Sequence, residues 1–286
     1  MSTALSSAVS GLDAYQEQMD IIGNNIANLN TTGFKSVTGN LTDSFSDTLQ
    51  AATSAAGSDN ATNAMQIGTG VMTGSITSDW SQGAINTTNV ATDLYINGNG
   101  FFMVQDPNNS AATYATQDGT FSVNATGNLI QSSTGMEVMG YNTSSLSGTP
   151  APIVINSQGY TGSPTATVTG FTINPQGVIT VNMSDGGSFT RAQVLLQNFT
   201  DPQALVSMGS NLYSNMTAAG PLTAMTAAGS GTLVNTSIVS GALELSNVDL
   251  SAQMADLIVA QRAFEANSKI VTTADEMLQT VVNMKR

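Results

Sequence analysis

The chain has 286 residues, a formal net charge of −13 and only 9% charged side chains, well under the roughly 25% typical of soluble domains. Cysteine and histidine are both absent, which excludes disulfide staples, Cys/His metal sites and the commonest general base. Arg191 is the only base between Ser36 and Ser251, so the acidic middle argues against a nucleic-acid or anionic-membrane partner and reads as plain solubility.

The chain opens on a seven-residue apolar repeat. Leu5, Ala8, Leu12, Tyr15, Met19, Ile22, Ile26 and Leu29 recur at alternating steps of three and four, which lays one narrow stripe down one side of a helix. The spacing predicts an N-terminal helix within residues 1–35. It should end among Asn28, Asn30, Thr31, Thr32 and Gly33, residues that leave helices easily. Neither a cationic start, an apolar core nor a cleavage site is present, so no secretory signal peptide is expected. No apolar run reaches the roughly 18 residues of a membrane span, and no membrane insertion is expected.

Residues 36–82 read as a connecting segment with a polar insertion. Leu41, Phe45 and Leu49 are apolar at short spacing, and Ala51–Ala64 follows as a tract of Ala, Ser, Thr, Asn and Gly. That tract cannot bury enough apolar surface to order alone. It is either a flexible linker or a segment that orders only against neighbours. From Gln66 the chain looks extended, through Ile67, Val71 and Ile76, and Trp80 is expected as a core anchor before the turn Ser81-Gln82-Gly83.

Between 83 and 245 the period becomes strand-like. Leu94 and Ile96 alternate with polar neighbours, Asn97-Gly98-Asn99-Gly100 predicts a type I′ hairpin turn, and Phe101-Phe102-Met103-Val104 follows. Further strands are expected around Phe121/Val123, Leu129/Ile130, Met136–Tyr141, Ile153/Ile155, Phe171/Ile173, Val178–Met183, Phe189 and Val194–Phe199, punctuated by turns. Such spacing means an antiparallel β domain.

Residues 246–286 repeat the helical pattern. Leu250, Met254, Leu257, Phe264, Val271, Ala274, Leu278 and Val281 mark a second stripe, with a phase slip near Asn267 and Ser268. Asn247 is the expected N-cap, Asp249 places a charge in the first turn, and Lys285 and Arg286 suit the far end of the helix dipole. Two stripes bracketing a helix-poor middle predict an α+β architecture. A mainly β body is carried by long N- and C-terminal helices that pair as a coiled coil, a discontinuous terminal domain.

Chemistry is scarce. No nucleophile elbow or phosphate loop occurs, and no catalytic, cofactor-binding or metal-ligating residue is predicted, so an enzyme is not expected. A polysaccharide-active enzyme would need stacking aromatics, which make up 6% here. A secreted β-rich adhesin would share the composition but has no use for paired terminal heptads.

Ile22-Gly23-Asn24-Asn25-Ile26-Ala27-Asn28, followed by Thr31, Gly33, Phe34 and Lys35, resembles the N-terminal signature of bacterial flagellar axial proteins, the rod and hook family. Ser246-Asn247-Val248-Asp249-Leu250, Ile258-Val259-Ala260-Gln261-Arg262 and Asn267-Ser268-Lys269 are similar to the matching C-terminal end. Asn99-Gly100-Phe101-Phe102 and Asp118-Gly119-Thr120-Phe121 with Gly127-Asn128-Leu129 resemble its β body. The resemblance implies an exported structural subunit without cofactors, which self-assembles into a hollow helical tube. Neighbouring rod, hook-cap and hook–filament junction proteins and the flagellar export apparatus are its implied partners. The C-terminal residues, with Gly241-Ala242-Leu243-Glu244, look most like the hook member. The stretch Leu49–Val71 is similar to an insertion of the distal rod member, which is the alternative.

Overall fold

A computed structural model describes residues 2–52, 63–143, 146–163, 166–214, 216–222 and 225–284. Helix α1 (Ser2–Ala27) is followed by strands β1 (Val37–Asp43), β2 (Ser46–Gln50), β3 (Met65–Gly68) and β4 (Val71–Ser78). The body then runs through β5 (Ile85–Thr87), β6 (Leu94–Asn97), β7 (Phe101–Asp106), β8 (Asn109–Thr116), β9 (Phe121–Val123), β10 (Leu129–Gln131), β11 (Glu137–Tyr141) and β12 (Ala151–Pro152). It continues with β13 (Val168–Ile173), β14 (Val178–Met183), β15 (Ser188–Val194), β16 (Leu196–Gln197), β17 (Val206–Gly209) and β18 (Leu212–Ser214). A short α2 (Met216–Ala219), then β19 (Ser237–Ser240), β20 (Ala242–Glu244) and the long α3 (Leu250–Met284) complete it. A mainly β body with an N-terminal and a C-terminal helix is therefore the observed class.

The chain forms two compact units. The first comprises Met1–Asn28, Ser36–Asp79 and Val248–Arg286; the second comprises Leu29–Lys35 and Trp80–Asn247. This differs from the division 1–35, 36–82, 83–245 and 246–286 expected from the sequence, because 36–79 is more than a connector. Strand β1 pairs antiparallel with β4, from Val37 opposite Ser78 to Asp43 opposite Val71. The ribbon packs on α1: Ser10 Oγ accepts from the Val71 N–H at 3.3 Å, and Thr73 Oγ1 donates to Glu17 Oε2 at 2.6 Å. Beyond it β2 and β3 form a second exposed antiparallel ribbon, with Phe45, Leu49, Met65 and Ile67 all exposed. Most of the polar tract Ala51–Ala64 lies outside the described residues.

In the second unit every strand pairing is antiparallel, and one sheet runs in the order β13-β14-β15-β11-β7-β8-β18-β17. Strand β7 explains its own unbroken apolar run. Phe102 and Val104 face one core with Leu94, Phe121, Leu129, Val138, Ile179 and Val181, whereas Phe101 and Met103 face another with Met139, Phe199 and Leu205. A strand buried on both faces loses the alternation of a half-exposed one. Trp80 packs edge-on against Phe101 and Tyr213, with ring centroids 5.2 Å apart in each case, the anchoring expected of it.

The expected hairpin at Asn97–Gly100 does not form. Strand β6 pairs with β19 rather than β7, so the segment is a crossing between sheets. A type I′ turn needs two successive residues at positive φ. Here Gly98 (+121°) and Gly100 (+140°) are separated by Asn99, whose carbonyl is held by Thr236 Oγ1 at 2.9 Å.

Candidate assembly surface and the motif clusters

In the first unit α1 and α3 pack side by side, running in opposite directions. Asn25 hydrogen-bonds Gln253 through Nδ2 and Oε1 at 3.0 Å, and Gly11, earlier on α1, lies against Asn267, equally far later on α3. A Cβ at Gly11 would fall 2.6 Å from Asn267 Nδ2, so the two helices approach closely there. The covered line on α3 is Gln253, Leu257, Ala260, Phe264, Asn267, Val271 and Ala274, at regular steps of four and three. It contains no phase slip. The sequence hid this because Gln253, Ala260 and Asn267 are polar or small, and a stripe drawn through the largest apolar side chains steps around them.

The predicted packing residues therefore divide. On α3, Leu257, Phe264 and Val271 lie on the covered line, but Leu250, Met254, Leu278 and Val281 are exposed. On α1, Ile22 is buried, as are the small residues Ala8, Gly11 and Ala14, while Leu5, Leu12, Tyr15, Met19 and Ile26 are half-buried. Leu29 is not on the helix. Both the backbone N–H and the side-chain Nδ2 of Asn28 donate to Asn24 O, at 3.1 and 3.0 Å, and α1 closes at Ala27.

The N-terminal motif splits into structural clamps and surface residues. Asn25 is 1% exposed, and its amide is fully engaged: Nδ2 donates to Val37 O at 2.7 Å as well as to Gln253, and Oδ1 accepts from the Val37 N–H at 2.9 Å. Asn24 and Ala27 are exposed, and Thr31 accepts at its carbonyl from the Phe34 N–H at 3.4 Å. In the second unit Gly33 sits at φ +66° and donates to Glu244 O at 2.9 Å. A Cβ there would lie 2.9 Å from both Asp118 N and Gln117 C, so conformation and close approach both require glycine.

Lys35 and Glu244 form a buried ion pair, Nζ to Oε1 at 2.8 Å, with side chains 1% and 6% exposed. Lys35 Nζ also donates to Ser81 O at 2.8 Å, and Glu244 Oε1 accepts from the Gly83 N–H at 2.8 Å. Three distant pieces of chain are thus tied at one point. Asp118 ties others: its carboxylate accepts from Thr32 Oγ1 at 3.0 Å, from the Thr120 N–H at 3.1 Å and from Gln131 Nε2 at 3.1 Å. Sequence reasoning missed both hubs, because their partners are separated by many residues.

The C-terminal motif holds one reassignment. Asp249, not Asn247, caps α3: its Oδ1 accepts from the N–H groups of Ser251 at 2.8 Å and Ala252 at 3.3 Å. Asn247 Nδ2 instead donates to Ser81 Oγ at 3.1 Å. Gln261 and Arg262 are exposed, Arg262 pairing with Glu265 at 2.8 Å on the surface. Lys285 and Arg286 lie outside the described residues. Arg191 is buried, and among the described residues it forms no ion pair. Its Nε donates to Asn156 Oδ1 at 3.0 Å and its Nη1 to Asn142 O at 2.9 Å, and burial lowers its pKa.

The exposed surface of α3 also carries many apolar side chains. Leu250, Met254, Ile258, Val259, Ile270, Met277, Leu278, Val281 and Val282 are exposed along α3, with Ile258 at 59% and Val259 at 66%. These apolar side chains lie beyond those that the partner helix covers. Among the described residues no group of His, Cys, Asp or Glu could hold a metal ion, and no helix is long and apolar enough to cross a membrane.

Three family models match in order along the chain. They describe a flagella basal body rod protein (5–35), the flagellar hook protein FlgE/F/G D1 domain (95–181) and the flagellar basal body rod FlgEFG protein C-terminal region (239–284). The flagellar basal-body rod protein FlgG of Bacillus subtilis is 34% identical over the whole of both chains. That of Borreliella burgdorferi is 31% identical, also over the whole of both. The flagellar hook protein FlgE of Treponema pallidum is 40% identical over 141 residues, which are 49% of this chain and 30% of that one.

Proposed function

This chain belongs to the flagellar rod and hook protein family, a family of structural rather than catalytic proteins, and we propose that within it the chain is the distal rod protein of the basal body. The observation that carries this reading is the end-to-end similarity to rod proteins, against a hook similarity confined to half the chain. The sequence motifs had favoured the hook. Those motifs, Gly241–Glu244 and Ile258–Arg262, fall inside a C-terminal model shared by hook and rod members alike, so they do not discriminate.

In this reading α1 and α3 pair as a two-stranded coiled coil, and copies of the chain stack through the uncovered face of α3. Each Leu, Ile, Val or Met covered there contributes at most about 1.5–3 kcal/mol towards offsetting the cost of association. The exposed β2–β3 ribbon is a second contact, one that stiffens the stack. Neighbouring rod and hook proteins are the further partners, and the chain reaches them through the flagellar export apparatus.

The test is loss of the gene, read by electron microscopy of isolated basal bodies. A distal rod protein predicts rods that stop inside the envelope with nothing beyond it. Completed rods lacking only a hook would return the chain to the hook reading.

A further inference from the structure

In the second unit, β15 brings a buried cation to the wall of a cavity. Arg191 is 6% exposed, and it lines a space of about 320 Å³ with Asn142, Thr143, Gln158, Gly159, Phe189 and Thr190. Two of these wall residues bracket its guanidinium. Nη1 donates to the Asn142 carbonyl at 2.9 Å, and Nε donates to Asn156 Oδ1 at 3.0 Å, the oxygen that also accepts from the Gln158 N–H at 3.1 Å. A guanidinium carries five N–H groups, so three are left over, one on Nη1 and two on Nη2. Nη2 makes no hydrogen bond to the described residues, yet it is not among the buried atoms closed to water, so a water-sized group reaches it. The other wall side chains are neutral. Asn142 Oδ1 accepts from the Val154 N–H at 3.4 Å, and Thr143 Oγ1 donates to Ser147 O at 3.0 Å. Asp185, linked to Phe189 through the ring of Tyr160, is engaged elsewhere: it accepts from Tyr160 Oη at 2.7 Å and from the Gly187 N–H at 3.0 Å.

An arginine stays protonated at neutral pH, and a charge taken out of water without a counter-charge is costly. Burial alone, with no neighbouring charge, lowers the pKa of Arg191. What the site lacks is an anion. Lys35 and Arg191 are the two bases of the second unit, and Lys35 is already paired with Glu244, so the cavity offers one positive charge. A singly charged group neutralises it, whereas a phosphate dianion would leave a net negative charge behind. The planar fork of guanidinium N–H groups matches the two oxygens of a carboxylate. The volume lies at the lower end of the roughly 300–1,000 Å³ of small-molecule pockets and holds a group of side-chain size. We propose that the Arg191 cavity is a binding site for one carboxylate group, the size of an aspartate or glutamate side chain.

The chain has three arginines, so few guanidinium Nε–H resonances need assigning, and the exposed Arg262 is an internal control. Acetate titrated into the unassembled full chain at constant ionic strength should move the Arg191 resonance to saturation. Acetamide, which has the same shape without the charge, should bind at least about tenfold more weakly. In Arg191→Gln the backbone amides of Gln158 and Gly159 should lose their response to acetate. An Arg191 resonance that moves no further than that of Arg262, or equal binding of acetate and acetamide, would overturn the proposal without recourse to any variant. Phosphate binding tighter than acetate would overturn the assignment to a carboxylate. Cells whose only copy carries Arg191→Gln separate the two sources of the group. If they build no complete rods while the purified variant keeps its unfolding midpoint, the carboxylate is an acidic side chain of a second copy. If rods are normal and acetate binding is lost, the site serves a free carboxylate. That comparison alone rests on the assembly reading; the titration stands or fails without it.

Discussion

Asn25 and Val37 exchange two hydrogen bonds, the side-chain amide of Asn25 donating to Val37 O at 2.7 Å while the Val37 N–H donates to Asn25 Oδ1 at 2.9 Å. The amide stands in for a strand neighbour at the first residue of β1, and its second N–H reaches Gln253 on α3. An amide is the one side chain of this size that both donates and accepts in this way. Asn25→Asp keeps the shape but turns two donated bonds into oxygen–oxygen contacts. We expect a loss of about 2–4 kcal/mol, larger than for Asn25→Ala, read as the shift in the urea unfolding midpoint. An unchanged midpoint in Asn25→Asp would contradict the clamp.

Lys35→Met strands the Glu244 carboxylate in a buried site. Breaking one partner of such a pair costs about 3–5 kcal/mol. The double variant Lys35→Met/Glu244→Gln removes the charge and keeps an acceptor for the Gly83 N–H, so most of that loss should return. Equal stabilities of single and double variants, in chemical denaturation, would count against a desolvated pair.

Tyr213 ionises with its pKa pushed by burial from 10.0 to about 12. The neutral phenol is favoured in the folded state, so its contribution is intact below pH 10 and is lost as pH rises through about 12. We expect a fall of about 2 kcal/mol across that window, absent in Tyr213→Phe. A Tyr213→Phe protein with the same alkaline profile would show that the phenol is not buried as described.

Much of the fold was legible in the sequence, and the failures share one cause. Apolar periodicity located α1 and α3, and short apolar runs bounded by turn residues located the strands around Phe102, Val138 and Val181. The seam itself was misdrawn, since the close approach of Gly11 to Asn267 and hydrogen bonding at Gln253 use small and polar residues that periodicity discards. The motif residues Asn25, Gly33 and Lys35 were visible by resemblance alone. Their reasons are long-range partners, Val37, Asp118 and Glu244, and register across a sheet cannot be read from one strand.

In the proposed assembly, the uncovered apolar residues of α3 join one copy to the next. Ile258 and Val259 are exposed within the C-terminal motif, beside Ala260, which is buried. A charge at Ile258 should therefore leave the single chain as stable as before, within about 0.5 kcal/mol, while placing an unpaired carboxylate in the assembled contact. The deciding measurement is electron microscopy of basal bodies from cells whose only copy carries Ile258→Asp, alongside the unfolding midpoint of the purified variant. An unchanged midpoint with no completed rod is the predicted result. Normal rods and motility from the same cells would contradict the claim.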